Sequence, residues 1–167
     1  MLRLFGGILI FTVSSYIGFH MADRLRKRVS FLRAMSDALA FISAEIEFGH
    51  YSLDSIFRRI DSSNALCGFF DYCKNHIHKD GIREAWNNSV EYISDKVFVT
   101  DDDIDAVAML GGELGMTDIK GQKNAISRTI LHIDKNAKSA EAEYARLGKT
   151  YRSCGMLMGV FFLIIFI

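Results

Sequence analysis

The chain has 167 residues, half of them apolar, and its 20 basic and 20 acidic side chains leave no formal net charge. This balance excludes a nucleic-acid-binding protein that works through a strongly basic surface, and the apolar content is high for a wholly soluble domain. Three cysteines at irregular spacing argue against a disulfide framework, and the absence of proline indicates long helices with short connections.

The apolar excess lies in one uncharged segment at each end of the chain. Residues 4–22 are long enough to cross a hydrocarbon core of about 30 Å as a helix, and no small-residue cleavage site follows that would make them a signal peptide. Residues 153–167 would cover only about 22 Å, so we expect that helix to begin earlier. Basic residues flank both segments on the inner side, which predicts attachment to the cell membrane, a cytoplasmic middle and both termini outward.

Between these ends, apolar residues recur at intervals of three and four, as one face of a helix requires. The pattern predicts an all-α fold, a bundle of about six helices whose first and last members are continuous with N- and C-terminal transmembrane helices. The predicted divisions are residues 1–22, 23–152 and 153–167. The first helix has its apolar stripe at Leu25, Val29, Leu32, Met35 or Ser36, Leu39, Ile42 and Ile46, and the last at Ile119, Ile126, Ile130, Ile133, Ala137, Ala140, Tyr144 and Leu147.

Polar residues and glycines predict where the intervening helices begin and end. Ser52 is placed to cap the second helix, and Asp80 with Gly81 separates the third from the fourth. Thr100 with Asp103 resembles a capping box that opens the fifth helix, which Gly115 is expected to end. Thr117 or Asp118 can cap the last helix.

Three patterns that could carry chemistry do not meet its requirements. Gly148-Lys149-Thr150 resembles the end of a phosphate-binding loop, but Glu143 stands where that loop needs glycine. The alternating aspartates 101, 103 and 105 lack the glycine and glutamate of a calcium loop and suit a helix N-terminus better. A zinc site would need the four residues Cys67, Cys73, His76 and His78, which do not share one helix face. We therefore predict no catalytic residue, metal or cofactor, and no enzymatic activity.

Small residues in the two terminal segments indicate close helix packing. Ser14 and Gly18 are four residues apart, as are Gly155 and Gly159. Such spacing lets the backbone of another helix approach closely within a membrane.

The chain as a whole resembles the stage III sporulation protein AB family. Its resemblance is carried by Leu4-Phe5-Gly6-Gly7 and Gly18-Phe19-His20-Met21-Ala22, Glu45-Ile46-Glu47-Phe48-Gly49-His50-Tyr51-Ser52-Leu53, Ala85-Trp86, Leu114-Gly115-Met116-Thr117-Asp118 with Gln122, and Gly155 with Gly159. One departure is Ser52, where such proteins often have proline.

This resemblance implies a non-catalytic platform in a secretion-like complex that the mother cell builds across the membranes facing the forespore. Its helical domain is similar to the inner-membrane platform proteins of type II secretion. The implied partners are a cytosolic secretion-type ATPase, stage III sporulation protein AA, and other membrane subunits; a second copy of the chain is a further candidate, and nucleic acid is not expected. Candidate docking residues are Phe48, Gly49, His50, Tyr51, Leu114, Gly115 and Asp118.

A ligand sensor with two spans around an extracytoplasmic bundle is the alternative. It would require cations on the outer flanks of the two apolar segments.

Overall fold

The computed structural model describes residues 2–48, 52–60, 64–66 and 68–166. These residues form five α-helices and a short 3₁₀ helix at Asn64–Leu66, and no strand occurs among them. The predicted all-α class is confirmed, whereas the helix count is five instead of about six. The helices are α1 (Leu2–Phe48), α2 (Leu53–Arg59), α3 (Phe69–Ser94), α4 (Asp101–Gly111) and α5 (Ile119–Phe166).

The difference in helix count arises at Gly81, inside α3. Gly81 has φ 82° and ψ 165°, a backbone conformation that is essentially restricted to glycine. Helical structure continues on both sides, so Phe69–Ser94 consists of two helical segments joined across a kink at Gly81. The break predicted at Asp80 and Gly81 is therefore present, since two helical segments meet at Gly81.

The first and last helices each run from an apolar end of the chain into its polar middle, over 47 and 48 residues respectively. The predicted continuity of these helices is confirmed. Within the part of the chain that the structure describes, no helix combines the length and the apolar character needed to cross a membrane. This finding differs from the two predicted transmembrane helices.

Two compact units divide the chain. The terminal unit comprises Met1–Val29 and Ser139–Ile167, and the central unit is Ser30–Lys138. The core of the central unit includes the predicted α1 stripe from Leu32 to Ile46, which is buried, together with Phe31, which the stripe did not include. In α5, Ile126 and Ile133 are buried as predicted, but Ile119 is exposed.

An aromatic cluster holds α2, α3 and α4 of the central unit together. The Trp86 ring contacts Phe57, Phe69 and Phe70, with centroid distances of 6.0, 4.8 and 6.1 Å. Its buried indole N–H donates to the carbonyl oxygen of Val107 in α4 over 2.9 Å, so the polar atom of this large ring is satisfied inside the core.

The connection from α3 to α4 is not a strand. Residues 98–100 have no regular secondary structure, and α4 begins after Thr100. The backbone N–H of Thr100 donates to the Asp103 carboxylate over 2.9 Å, as the predicted capping box requires. The predicted end at Gly115 is wrong, since α4 ends at Gly111 and a turn follows.

Candidate partner-docking surface

The connection between α4 and α5 is fixed by one side chain, that of Gln122. Its Oε1 accepts from the Gly115 N–H over 3.3 Å, and its Nε2 donates to the Thr117 carbonyl oxygen over 2.9 Å. Leu114 is fully buried and ties the same connection to the core. Because a side chain bonded to two backbone groups orders the loop between them, this connection has a defined shape.

The N-terminus of α5 is capped by Asp118, whose Oδ1 accepts from the Gly121 N–H over 2.8 Å. Gly115 has φ 73°, and a Cβ on it would lie 3.2 Å from Ile82 Cγ2 and 3.7 Å from Leu53 Cδ1. The connection therefore packs against the start of α2 and the second half of α3. Leu114 supports this arrangement from inside, whereas Asp118 is exposed.

The end of α1 lies beside the first turn of α5. Glu47 Oε1 and Lys123 Nζ form an ion pair at 2.6 Å, and Phe48 follows with 78% of its surface exposed. An open cleft between these helix ends is lined by Glu47, Asp118, Ile119, Lys120, Lys123 and Asn124. The structure thus brings Phe48 and Asp118 to the same end of the central unit; Gly49, His50 and Tyr51 lie outside the described residues.

We call this region the distal surface, defined by Glu47, Phe48, Met116, Asp118, Ile119, Lys120 and Lys123. Met116 and Ile119 are 68% and 53% exposed, so three large apolar side chains stand among charged ones. An exposed apolar group within a polar rim is the composition expected of a protein interaction site. The periodicity of the sequence assigned Ile119 to the core stripe. Ile119 is instead exposed, as the first residue of α5.

The four small residues singled out in the terminal segments meet along one seam in the terminal unit. Ser14 Oγ donates to the Gly155 carbonyl oxygen over 2.9 Å. A Cβ on Gly18 would lie 2.5 Å from the Tyr151 carbonyl oxygen, and one on Gly159 would lie 2.8 Å from the Phe11 ring. The first and last helices therefore pack with their backbones close together, and a larger side chain at these positions would separate them.

The side chains weighed for metal binding have other contacts. Cys73 is buried, and burial raises the pKa of its thiol to about 11. His76 Nδ1 lies 2.8 Å from the Tyr72 carbonyl oxygen, and His78 Nε2 lies 3.3 Å from the Asp54 carboxylate. Among the described residues no group of three or more His, Cys, Asp or Glu side chains could hold a metal ion, and Cys67 is outside them.

The aspartates of the calcium-like pattern point in different directions. Asp103 is buried and accepts from Asn136 Nδ2 over 3.0 Å, whereas Asp101 and Asp105 are exposed. Side chains that diverge in this way do not converge on one ion. The pattern is better explained by the capping of α4.

Sequence comparison with known proteins finds a match along nearly the whole chain. A sequence model described as stage III sporulation protein AB matches residues 3–167. The chain belongs to this family. Stage III sporulation protein AB of Bacillus subtilis (strain 168) is 25% identical over 169 aligned residues, covering 99% of each chain.

A solved structure of a stage III sporulation protein AB has the same fold. It aligns with a TM-score of 0.62 and 21% sequence identity, covering 71% of this chain and 97% of the other. Two of the motifs that carry the resemblance have a structural role. Leu114 to Asp118 with Gln122 is the ordered connection of the distal surface, and Trp86 is the centre of the aromatic cluster.

Proposed function

We propose that this chain is a non-catalytic membrane platform of the sporulation-specific, secretion-like complex between mother cell and forespore. In this role it docks a cytosolic secretion-type ATPase, stage III sporulation protein AA, and other membrane subunits. Family membership supports a role in sporulation. The distal surface is the observation that carries the docking role.

The distal surface suits a partner that is recognised by both shape and charge. Phe48 is a large aromatic side chain that is mostly exposed, and aromatic residues often dominate the binding energy of interfaces. The Glu47–Lys123 ion pair beside it can orient a partner without a large cost of desolvation. The Gln122 hydrogen bonds keep the neighbouring connection ordered before binding, which lowers the entropic cost of association.

The surface of the terminal unit supports attachment to the mother-cell membrane. The Ser14 hydroxyl is satisfied within the helix seam by the Gly155 carbonyl oxygen, so the pair directs mainly apolar side chains outward. We infer that the two helices enter the bilayer together, with the central unit in the cytoplasm and both termini outward. The exposed apolar side chains include Ile8, Leu9, Val13, Ile17, Leu157, Val160, Phe161, Ile164 and Ile165.

The direct test is binding of the purified ATPase to the full chain in lipid nanodiscs, measured by biolayer interferometry. The variants Phe48→Ser and Ile119→Ser remove apolar contacts of the distal surface without touching the core. We expect each to raise the Kd by roughly tenfold or more, as for an interface residue that contributes strongly to affinity.

The matched control is Phe98→Ser, an exposed apolar side chain outside the distal surface. It should bind the ATPase as the unaltered chain does. No binding by the unaltered chain, or equal binding by all three variants, would count against ATPase docking at this surface.

A further inference from the structure

The outward face of α4 is acidic around one apolar side chain. Asp101, Asp102 and Asp105 are exposed, and Met109, one helical turn after Asp105, is 72% exposed. Neither Asp101 nor Asp105 pairs with a cation in the described part of the chain. This face can therefore contact another molecule through both charge and an apolar side chain.

The outward face of α5 in the central unit is basic and also carries one exposed apolar side chain. Arg128, Leu131, Lys135 and Lys138 follow one another at intervals of three and four residues, so they form one stripe, and all are exposed. Leu131 is 72% exposed, like Met109 on α4. Lys135 and Lys138 form no ion pair with any described residue.

These two faces adjoin, and the helices run antiparallel. Asp102 Oδ1 lies 3.3 Å from His132 Nε2, and Glu113 Oε2 lies 2.8 Å from Arg128 Nη2. Moving forward along α4 therefore means moving backward along α5. The result is one surface with an acidic half and a basic half side by side.

The register between the halves follows from the buried contact of Asp103 with Asn136, at 3.0 Å. Met109 is six residues beyond Asp103, and Leu131 is five residues before Asn136, so at about 1.5 Å per residue both lie at nearly the same height. By the same count, Asp105 is level with Lys135. Asp101 is level with Lys138.

We propose that a second copy of this chain docks on this surface through a two-fold axis parallel to α4 and α5. Such an axis keeps the height of every residue and exchanges the acidic and basic halves. Met109 then faces Leu131 of the second copy, Asp105 faces its Lys135, and Asp101 faces its Lys138. A two-fold interface is self-complementary in this way, since each contact occurs twice.

A second two-fold axis, perpendicular to the helices, could also lie in the surface, and the charges exclude it. An axis perpendicular to the helices would place acidic faces on each other and basic faces on each other, and this like-charge repulsion opposes association. The arrangement explains why exposed methionine and leucine side chains occur at matching heights. It does not depend on ATPase docking, because the distal surface is not used.

The test measures the mass of the full chain in detergent by size-exclusion chromatography with light scattering. One double variant, Lys135→Glu with Lys138→Glu, makes both faces acidic; the other, Asp101→Lys with Asp105→Lys, makes both basic. We expect the unaltered chain to be a dimer at micromolar concentration and each double variant to associate on the order of 100-fold more weakly. An equimolar mixture of the two variants should form a 1:1 dimer, because both contacts are then restored.

All altered positions are exposed, and a matched control is Lys79→Glu with Glu84→Lys on α3, which should dimerise normally. A monomeric unaltered chain, or double variants that still dimerise through their terminal helices, would overturn the proposal. So would a variant mixture that fails to associate. Complexes larger than two chains in that mixture would overturn the two-fold arrangement.

Discussion

A buried carboxylate, that of Asp103, shows how one residue can serve both its own helix and the packing of another. Its capping role was readable from Thr100 three residues earlier, because a capping box is local. Its second contact, with Asn136 in α5, spans 33 positions and had no signal in the sequence. Since an ionised carboxylate is costly to bury without donors, both contacts matter for stability.

Replacing Asn136 with alanine should therefore destabilise the chain. Asp103 would lose a donor inside the core, and we expect the free energy of unfolding to fall by about 1–3 kcal/mol. Urea unfolding followed by circular dichroism measures the change. Asn124→Ala, at an exposed position of the same helix, is the matched control and should change the value by less than about 0.5 kcal/mol; equal effects would show that the Asp103 contact contributes nothing.

The thiol of Cys73 should be unreactive in the folded chain. Burial raises its pKa to about 11, so the reactive thiolate is scarce at pH 8 and its fraction grows only as the pH approaches that value. In a chain where Cys67 and Cys154 are replaced by serine, we expect iodoacetamide to label Cys73 on the order of 100-fold more slowly in buffer than in urea. Equal labelling rates would mean that Cys73 is accessible.

At the scale of elements, α1 and α5 owe their length to uninterrupted helix-forming sequence and their pairing to small residues. The intervals of four between Ser14 and Gly18 and between Gly155 and Gly159 predicted close packing, but not that the two segments would pair with each other. The Ser14 hydrogen bond to the Gly155 carbonyl oxygen decides this. The close packing is therefore between the first and last helices of the same chain.

Gly18→Ile should open that seam. Its Cβ would lie 2.5 Å from the Tyr151 carbonyl oxygen and 3.0 Å from Gly155 Cα, and backbone atoms cannot move aside cheaply. We expect a loss of about 1–3 kcal/mol in urea unfolding of the full chain in detergent. Gly6→Ile is the control, because a Cβ there has no atom within 4 Å; the same loss in both variants would contradict close packing at Gly18.

The kink of α3 is a second element-scale feature set by one residue. A Cβ on Gly81 would have no neighbouring atom within 4 Å, so space does not forbid alanine there. The backbone angles of Gly81, φ 82° and ψ 165°, are what disfavour alanine there. We expect Gly81→Ala to cost about 1–3 kcal/mol of stability by urea unfolding, whereas Asp80→Ala, beside it, should cost much less; a neutral Gly81→Ala would show that the kink is not strained for other residues.

At the scale of the whole molecule, the orientation in the membrane is the property that separates a platform from a sensor. Under the positive-inside rule, the inner-flank cations predict that the central unit is cytoplasmic. We therefore expect a cysteine introduced at the exposed position Asn87, with the native cysteines replaced by serine, to resist a membrane-impermeant maleimide in intact cells. It should react after the cells are permeabilised, and labelling before that step would favour the sensor.

Sequence by itself determined the all-α class, the long terminal helices, the capping of α2 and α4 and the apolar stripes, because each depends on residues within a few turns of one another. The family motifs also marked the Leu114–Asp118 connection with Gln122, though not its hydrogen bonds. Tertiary structure alone decided that Phe48 and Asp118 share one surface, since the Glu47–Lys123 ion pair joins distant parts of the chain. It also decided that Ile119 is exposed and that α4 and α5 present an acidic and a basic face side by side. Burial and charge pairing depend on which helices become neighbours.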